Sequence, residues 1–248
     1  MSTRFYSPNP AQNGKLRLAA EEARHLSRVC RLGVGDVVEV FDGKGHATKA
    51  EIVMVGHGLV ELTPIGPPLV VGSPPFRLTL ASAVPKGDRF DWLVEKATEL
   101  GVERLIPLVT ERSVVEPGDA KLERLRRGIV EASKQCGRNQ LMILETPVRW
   151  DEWAGLQSDS IRFLADPTGM PASGWPAIPL GSFVILAVGP EGGFTQQEKT
   201  KARETGWHAI GLGPTILRTE TGGLAGCAAL FAHASEDVQT VHCPPDLS

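Results

Sequence analysis

Residues 189–194 read Gly-Pro-Glu-Gly-Gly-Phe, three glycines around one carboxylate, directly after the apolar run Phe183–Val188 and directly before Thr195. Glycine lets a backbone approach a ligand closely and expose its N–H groups. In an open α/β sheet, ligands gather at the carboxyl ends of strands, where this segment falls. Position alone leaves a plain Gly-rich connection as an equally good reading. The familiar phosphate loops do not fit, because neither GxxxxGK[ST] nor a GxGxxG opening a helix is present. Glu191 also disfavours an anion, so a ligand here should be neutral or cationic.

A second segment, Leu212-Gly213-Pro214-Thr215-Ile216-Leu217-Arg218-Thr219-Glu220-Thr221, again lies between a predicted strand and a predicted helix. Thr219 or Thr221 is expected to cap that helix. A cap does not explain Arg218, a cation placed just before a helix N-terminus whose dipole repels it. Arg218 is therefore expected to face an anion or a polar substrate.

Other residue types are less specific. The histidines (His25, His46, His57, His208, His233, His242) are scattered and show no triad spacing, which gives a hydrolase little support. Cys30, Cys136, Cys227 and Cys243 form no CxxC pair, so neither a zinc site nor a disulfide framework is expected, and free thiols fit the cytoplasm. The five tryptophans show no stacking platform along the chain and are expected to pack. Within 119–139, Lys121, Arg124, Arg126, Arg127, Lys134 and Arg138 outnumber Asp119, Glu123 and Glu131, although a solvated helix face is as good a reading for most of them. Gly137 should end that helix and present Arg138 and Asn139 at its tip.

Elements must hold these residues in place. The chain has 248 residues, a formal charge of −3, 42% hydrophobic and 22% charged residues, which excludes general disorder and a basic nucleic-acid coat protein. No apolar run approaches the ~20 residues of a membrane span. Gly66–Pro75, rich in proline, is the expected boundary. Before it, a helix over about Ala20–Arg31 with Gly33 as its stop precedes short strands: Val37–Phe41, one with Ala50, Ile52 and Met54 on a single face, and Leu59–Ile65. Spacing this short suggests a small barrel. After it, strands and helices alternate, as in a parallel α/β sheet. The strands are Arg77–Val84, Leu105–Val109, Ile161–Ala165, Phe183–Val188 and His208–Leu212. The helices are Asp88–Leu100, Asp119–Gln135, Thr195–Thr205 with a Thr195/Glu198 capping box, and about Thr221–Ser235.

The two glycine-bearing segments resemble the signature of the SPOUT superfamily of methyltransferases, and more narrowly the ribosomal RNA small-subunit uridine-N3 methyltransferase family. Further matches are Arg4-Phe5-Tyr6, Arg28-Val29-Cys30-Arg31-Leu32 with Gly35-Asp36, and Phe41-Asp42-Gly43. Glu95-Lys96 with Glu99-Leu100-Gly101, Glu111-Arg112-Ser113 and Gln135-Cys136-Gly137-Arg138-Asn139 continue them, so the resemblance covers nearly the whole chain. Gly222-Gly223 departs from the family pattern; each glycine costs about 1 kcal/mol inside a helix, so a frayed or shifted helix start is expected there.

The resemblance implies a PUA-like RNA-binding barrel over 1–72 and an α/β methyltransferase domain with a trefoil knot over 73–248. It implies S-adenosylmethionine held by Gly189, Glu191, Gly192, Gly193, Leu212, Gly213, Ile216, Leu217, Arg218, Thr219 and Thr221. It implies N3 methylation of a uridine in 16S ribosomal RNA of the small subunit by a cytoplasmic homodimer that uses no metal and binds no membrane. Arg218 or Arg138 would stabilise charge spread onto the uracil oxygens; Glu191 and Glu220 are possible bases. Arg4, Arg28, Arg31, Arg138 and Asn139 are the expected RNA contacts, with Lys86 and Arg89 weaker ones. Two rivals remain: a related SPOUT enzyme acting on a ribose 2′-hydroxyl or another base, and a non-catalytic RNA-binding assembly factor.

Overall fold

The computed structural model describes residues 3–9, 14–56, 58–69, 72, 74–156 and 159–234. Cys243, His57, His242 and the expected helix end at Ser235 lie outside the described residues. The chain divides into two compact units, Met1–Val71 with Ile129–Leu141, and Gly72–Gly128 with Met142–Ser248. The first break falls beside the expected boundary. The second part of unit one does not show in the sequence, because it begins in the middle of a continuous helix.

In the first unit, β1 (Arg4–Tyr6), β2 (Leu16–Ala19), β3 (Val37–Phe41), β4 (Ala47–Val55) and β5 (Leu59–Leu69) form a sheet in the order β1-β3-β4-β5-β2. Only β1 and β3 run parallel. Val38 and Val40, Ala50 and Ile52, and Val60 and Leu62 are buried in one cluster with Leu26 and Phe5, as period-two alternation requires. Met54 breaks the expected face and is 40% exposed. The register shifts between Ile52 and Met54, and beyond it the alternation ends, with Val53 and Val55 exposed as well. The proline-rich stretch does not break β5, which runs through Pro67 and Pro68 to Leu69. Those prolines sit in the irregular interval between the Lys49–Ile65 and Ala47–Leu69 pairs, where a missing N–H costs least.

The first helix, α1 (Ala20–Arg24), passes into a π-helical turn, His25–Val29. Its stop is Arg31 rather than Gly33. Arg31 has φ +56, and the Leu32 N–H reaches six residues back to the Leu26 carbonyl at 3.2 Å, closing the wide π-helical turn. An arginine therefore holds the left-handed position that glycine usually takes.

The second unit contains β6 (Arg77–Ala83), α2 (Arg89–Glu99), β7 (Arg104–Val109), the first half of α3 (Asp119–Cys136), β8 (Ile143–Leu144), β9 (Val148–Arg149) and α4 (Trp150–Trp153). β10 (Ile161–Met170), β11 (Phe183–Val188), α5 (Gln196–Glu204), β12 (His208–Ile210) and α6 (Thr219–His233) complete it. Every strand pair is parallel, in the order β12-β10-β11-β6-β7-β8, with β9 also on β7. Phe90, Leu93, Val94 and Ala97 form the buried stripe of α2, but Leu100 is its C-cap and 36% exposed, beyond the last regular turn.

α6 starts two residues before the expected Thr221, and Gly222-Gly223 do not fray it. Both are buried inside the helix. A Cβ on Gly223 would lie 3.2 Å from Leu93 Cδ1, and one on Gly226 2.6 Å from Leu186 Cδ2. The missing side chains let α6 lie directly against α2, β6 and β11, and that burial offsets their poor helix propensity.

Candidate functional site

From β6 the chain proceeds to β7 on one side of the sheet, while from β11 it proceeds through α5 to β12 on the other. β6 and β11 are neighbours, with Ser82 opposite Val188. Two loops therefore diverge at the carboxyl ends of this pair, the position where open α/β sheets bind ligands. The loops are 84–88 after β6 and 189–195 after β11. The loop after β12, 211–218, returns beside them through α6.

The glycine segment is a tight turn closed by Gly193 N–H donating to the Pro190 carbonyl at 2.8 Å, so Glu191 and Gly192 form its tip. Gly193 has φ +66, which favours glycine. A Cβ on Gly189 would be 3.1 Å from the Phe194 ring. Phe194 is buried against Trp150, with ring centroids 4.8 Å apart, and Trp207 joins at 5.1 Å from Trp150. Trp150 and Trp153, three positions apart, thus gather with the distant Trp207 and Phe194 as packing. Arg112 Nη1 donates to the Gly192 carbonyl at 2.5 Å. Glu198 does two jobs: Oε2 accepts the Thr195 N–H at 2.7 Å, completing the expected capping box, and Oε1 accepts the Glu111 N–H at 2.9 Å.

The second loop is joined to the first by Thr219 Oγ1, which donates to the Gly189 carbonyl at 3.2 Å. Thr219 is thus a tether, and neither it nor Thr221 is the helix cap. Arg218 itself takes the N-cap position, with φ −65 and ψ 156 and no side-chain cap bond, and its guanidinium is exposed. Gly213 has φ +143 and open space where a Cβ would stand. Leu212 and Leu217 are half-buried and Thr221 is exposed, while Ile216 is 83% exposed, unusual for so apolar a side chain.

Arg89, only a minor candidate by sequence, links the loops. Its Nη1 lies 3.3 Å from Glu191 Oε1 and 3.6 Å from Glu220 Oε1. Glu220 is 95% buried, since only 5% of it is exposed, and its Oε2 is buried with no hydrogen-bond partner. Nothing in the local sequence pairs Arg89 with carboxylates more than one hundred positions away. Nearby in the same sheet, buried Asp166 accepts from Thr168 and pairs with Lys199 at 2.5 Å. Burial pushes the Asp166 carboxyl up, but Lys199 and Thr168 outweigh it and hold it below the usual range.

In the first unit, Arg4 and Asn139 are committed to each other rather than presented outward. Arg4 donates to Glu39 at 2.7 Å, to the Ser133 carbonyl at 3.0 Å and to Asn139 Oδ1 at 2.5 Å, with 11% of its side chain exposed. Asn139 is 3% exposed. The RNA contacts expected of this pair give way to a clamp between β1 and the end of α3. Arg138 follows Gly137, half-buried, after the helix. Lys134 is buried between Glu22 and Glu131; burial alone would lower its ammonium, and the two carboxylates raise it instead. Arg28 and Arg31 are exposed, as a surface role needs. Along the first half of α3, Lys121 and Arg124 both pair with Asp91, and Arg126 with Glu123. Of these three, only Arg126 pairs within its own helix, as a solvated face would; Lys121 and Arg124 bridge α3 to Asp91 of α2.

Among the described residues, no group of three His, Cys, Asp or Glu side chains is placed to hold a metal, and no helix is long and apolar enough to cross a membrane. A profile of the RNA methyltransferase domain matches residues 72–231, and a profile of the RNA methyltransferase PUA domain matches residues 18–65. Ribosomal RNA small subunit methyltransferase E of Synechocystis sp. is 30% identical over 241 residues, covering 91% of this chain and 76% of that protein. This chain belongs to that RNA methyltransferase family. Its fold agrees: a Legionella pneumophila protein, solved in complex with the bound cofactor SAM, superposes with a TM-score of 0.84 at 31% identity, covering 94% of this chain and 98% of that one. Ribosomal RNA small subunit methyltransferase E of Neisseria gonorrhoeae, bound to S-adenosyl methionine, matches with the same TM-score and identity over 92% and 96%.

Proposed function

We propose that the protein methylates N3 of a uridine in 16S ribosomal RNA of the small subunit, using S-adenosylmethionine, as a cytoplasmic homodimer with a knotted carboxyl-terminal domain. The observation that carries this reading is the joining of the 189–193 turn and the 212–218 loop at the β6/β11 switch point, by Thr219 on Gly189 and by Arg89 on Glu191 and Glu220. The residues present fit the cofactor. A tight glycine turn offers backbone groups, exposed Ile216 offers an apolar cover for a purine, and Glu220 Oε2 is a buried acceptor lacking a donor. Gly189, Glu191, Gly192, Gly193, Leu212, Gly213, Leu217, Thr219 and Thr221 would supply the rest of the cradle.

When bound, S-adenosylmethionine supplies an electrophilic methyl group on a sulfonium sulfur. The protein's part is to orient the uridine, exclude water, and stabilise the negative charge that spreads to the uracil oxygens as N3 loses its proton. Arg218 suits that last task, because it is exposed beside the tethered loops and makes no cap of its own. Arg138, in the first unit, is the second cation proposed to face the RNA, and exposed Arg28 and Arg31 are proposed to meet its phosphates. Holding Arg31 left-handed costs roughly 1–2 kcal/mol, which supports a role that requires its side chain. The exposed small residues Thr221, Ala228 and Ala232 along α6 support a dimer contact there.

The test is methyl transfer onto ribosomal subunits lacking the modification, followed by nucleoside mass spectrometry. Label in 3-methyluridine is expected. Label in a 2′-O-methyl nucleoside or another base would favour the related-enzyme reading, and S-adenosylmethionine binding without any transfer would favour an assembly factor.

A further inference from the structure

Three charged groups meet at the candidate cofactor site, and two of them are anionic. Arg89 stands between Glu191, whose side chain is 44% exposed, and Glu220, whose side chain is 7% exposed. The group therefore carries a net charge of −1. Its two carboxylates differ in what they can do for a ligand. Glu191 lies at the tip of a turn in solvent, where salt screens a charge and a surface pair contributes little. Glu220 lies in the first turn of α6 with Oε1 turned to Arg89 and Oε2 buried without a donor. A buried acceptor with no partner is costly to leave so, and a native structure that keeps one has a reason for it.

We propose that Glu220 senses the sulfonium charge of the cofactor, with Arg89 as its positioning residue, so that the site favours S-adenosylmethionine over the demethylated product. This rests on the cofactor reading above. In the reaction the methyl–sulfur bond breaks, its electron pair stays on sulfur, and the methyl joins the uridine nitrogen, whose proton goes to solvent. S-adenosylmethionine carries a net charge of +1, and S-adenosylhomocysteine carries none. An anionic group of −1 complements the first and loses that attraction once the methyl has moved. Since Glu220 is buried, the attraction operates at low effective dielectric and resists salt. Product release is thereby coupled to completion of the transfer.

The experiment is calorimetric titration with three probes: S-adenosylmethionine, S-adenosylhomocysteine, and sinefungin, which keeps a cation where the methylated sulfur stands. Glu220→Gln should weaken S-adenosylmethionine and sinefungin by about 10-fold, the scale of one charge–charge attraction across about 12 Å at an effective dielectric near 20, and leave S-adenosylhomocysteine within about 2-fold. Glu220→Asp keeps the charge and should keep the order of the three affinities. Where neither variant folds, the wild-type protein decides: its preference for sinefungin over S-adenosylhomocysteine should survive about 0.5 M salt. Equal weakening of all three probes by Glu220→Gln would overturn the inference, because Glu220 would then grip a part they share. An unchanged affinity for all three, or a wild-type preference abolished by salt, would overturn it too. Failure of the wild-type protein to bind any probe would instead overturn the cofactor reading on which it rests.

Discussion

α5 and α6 both follow a glycine-bearing loop that leaves the carboxyl end of a parallel strand, yet their first turns are completed differently. α5 opens with Thr195 and Glu198, whose side chains and backbone groups satisfy each other. α6 opens on Arg218, which provides no side-chain cap, and its first turn carries a buried carboxylate oxygen without a donor. A helix N-terminus that closes itself has no need of a ligand. One left open, at a sheet's switch point, is available to be completed by something that binds. In this unit the self-contained helix start supports the scaffold, and the open one is the proposed seat of the chemistry.

The sharpest way to break this comparison is Arg218→Ala. Should the open start be catalytic, the single-turnover rate falls by about 10²–10³-fold, the loss expected for one charge-stabilising donor, while S-adenosylmethionine affinity changes little. Arg218→Lys should restore only part of the rate, since a point charge does not reproduce a planar fork. Weakened cofactor binding with a normal rate at saturation would make Arg218 a loop clamp.

Next in size is the packing that fixes where α6 begins. Gly226→Ala places a Cβ 2.6 Å from Leu186 Cδ2, so something must shift, and urea unfolding should show a loss of about 2 kcal/mol. Gly222 is the internal control. Its Cβ would meet Val188 Cγ1 at an ordinary 3.6 Å, so Gly222→Ala should be neutral or stabilise by up to about 1 kcal/mol through helix propensity. Equal losses for both variants would mean that the close approach of α6 to β11 is not what places its start.

The self-closed helix gives a third effect, of similar size at Glu198 and smaller at Thr195. Glu198→Ala strips the acceptor from two backbone N–H groups, of Thr195 and Glu111, and should cost about 2 kcal/mol, against about 1 kcal/mol for Thr195→Ala. Thr221→Ala at α6 should cost under about 0.5 kcal/mol, because that threonine caps nothing. A large loss there, read by the same unfolding curves, would restore Thr221 as a cap.

These same contrasts explain what the sequence made legible. The capping box of α5 spans four residues, and β11 is a single apolar run, so local pattern was enough for both. The Gly222-Gly223 pair pointed to fraying because the packing partners of Gly223, Leu93 and Leu80, lie over one hundred positions away. Met54 and the prolines of β5 were misread for a related reason: a register shift is a property of two strands, and one strand's alternation does not reveal it. Arg4 and Asn139 carried the residue types of an RNA contact, but burial against each other turned them into a clamp. Within the candidate site, the loops were legible as composition. The bridge that organises them, Arg89 on Glu191 and Glu220, was not, since only the sheet order brings α2 to those loops.

The smallest expected effect extends the comparison to a helix end in the other unit. After the π-helical turn His25–Val29, the chain closes with Leu32 N–H on the Leu26 carbonyl, and the left-handed residue in that closure is Arg31, φ +56. Glycine adopts this conformation without Cβ strain and is the usual occupant. Arg31→Gly should therefore stabilise the protein, by about 0.5–1 kcal/mol in the urea midpoint at unchanged slope. Binding to ribosomal subunits should weaken at the same time, with the salt dependence of the affinity falling by up to about one phosphate contact. A gain in stability with loss of binding means that the arginine occupies a strained position for its side chain's sake. A gain in stability with unchanged binding and salt slope would remove Arg31 from the RNA surface and leave Arg28 as its exposed candidate on that turn. A loss of stability would mean that the arginine's own contacts exceed the left-handed penalty, and the helix end would then be as self-contained as the start of α5.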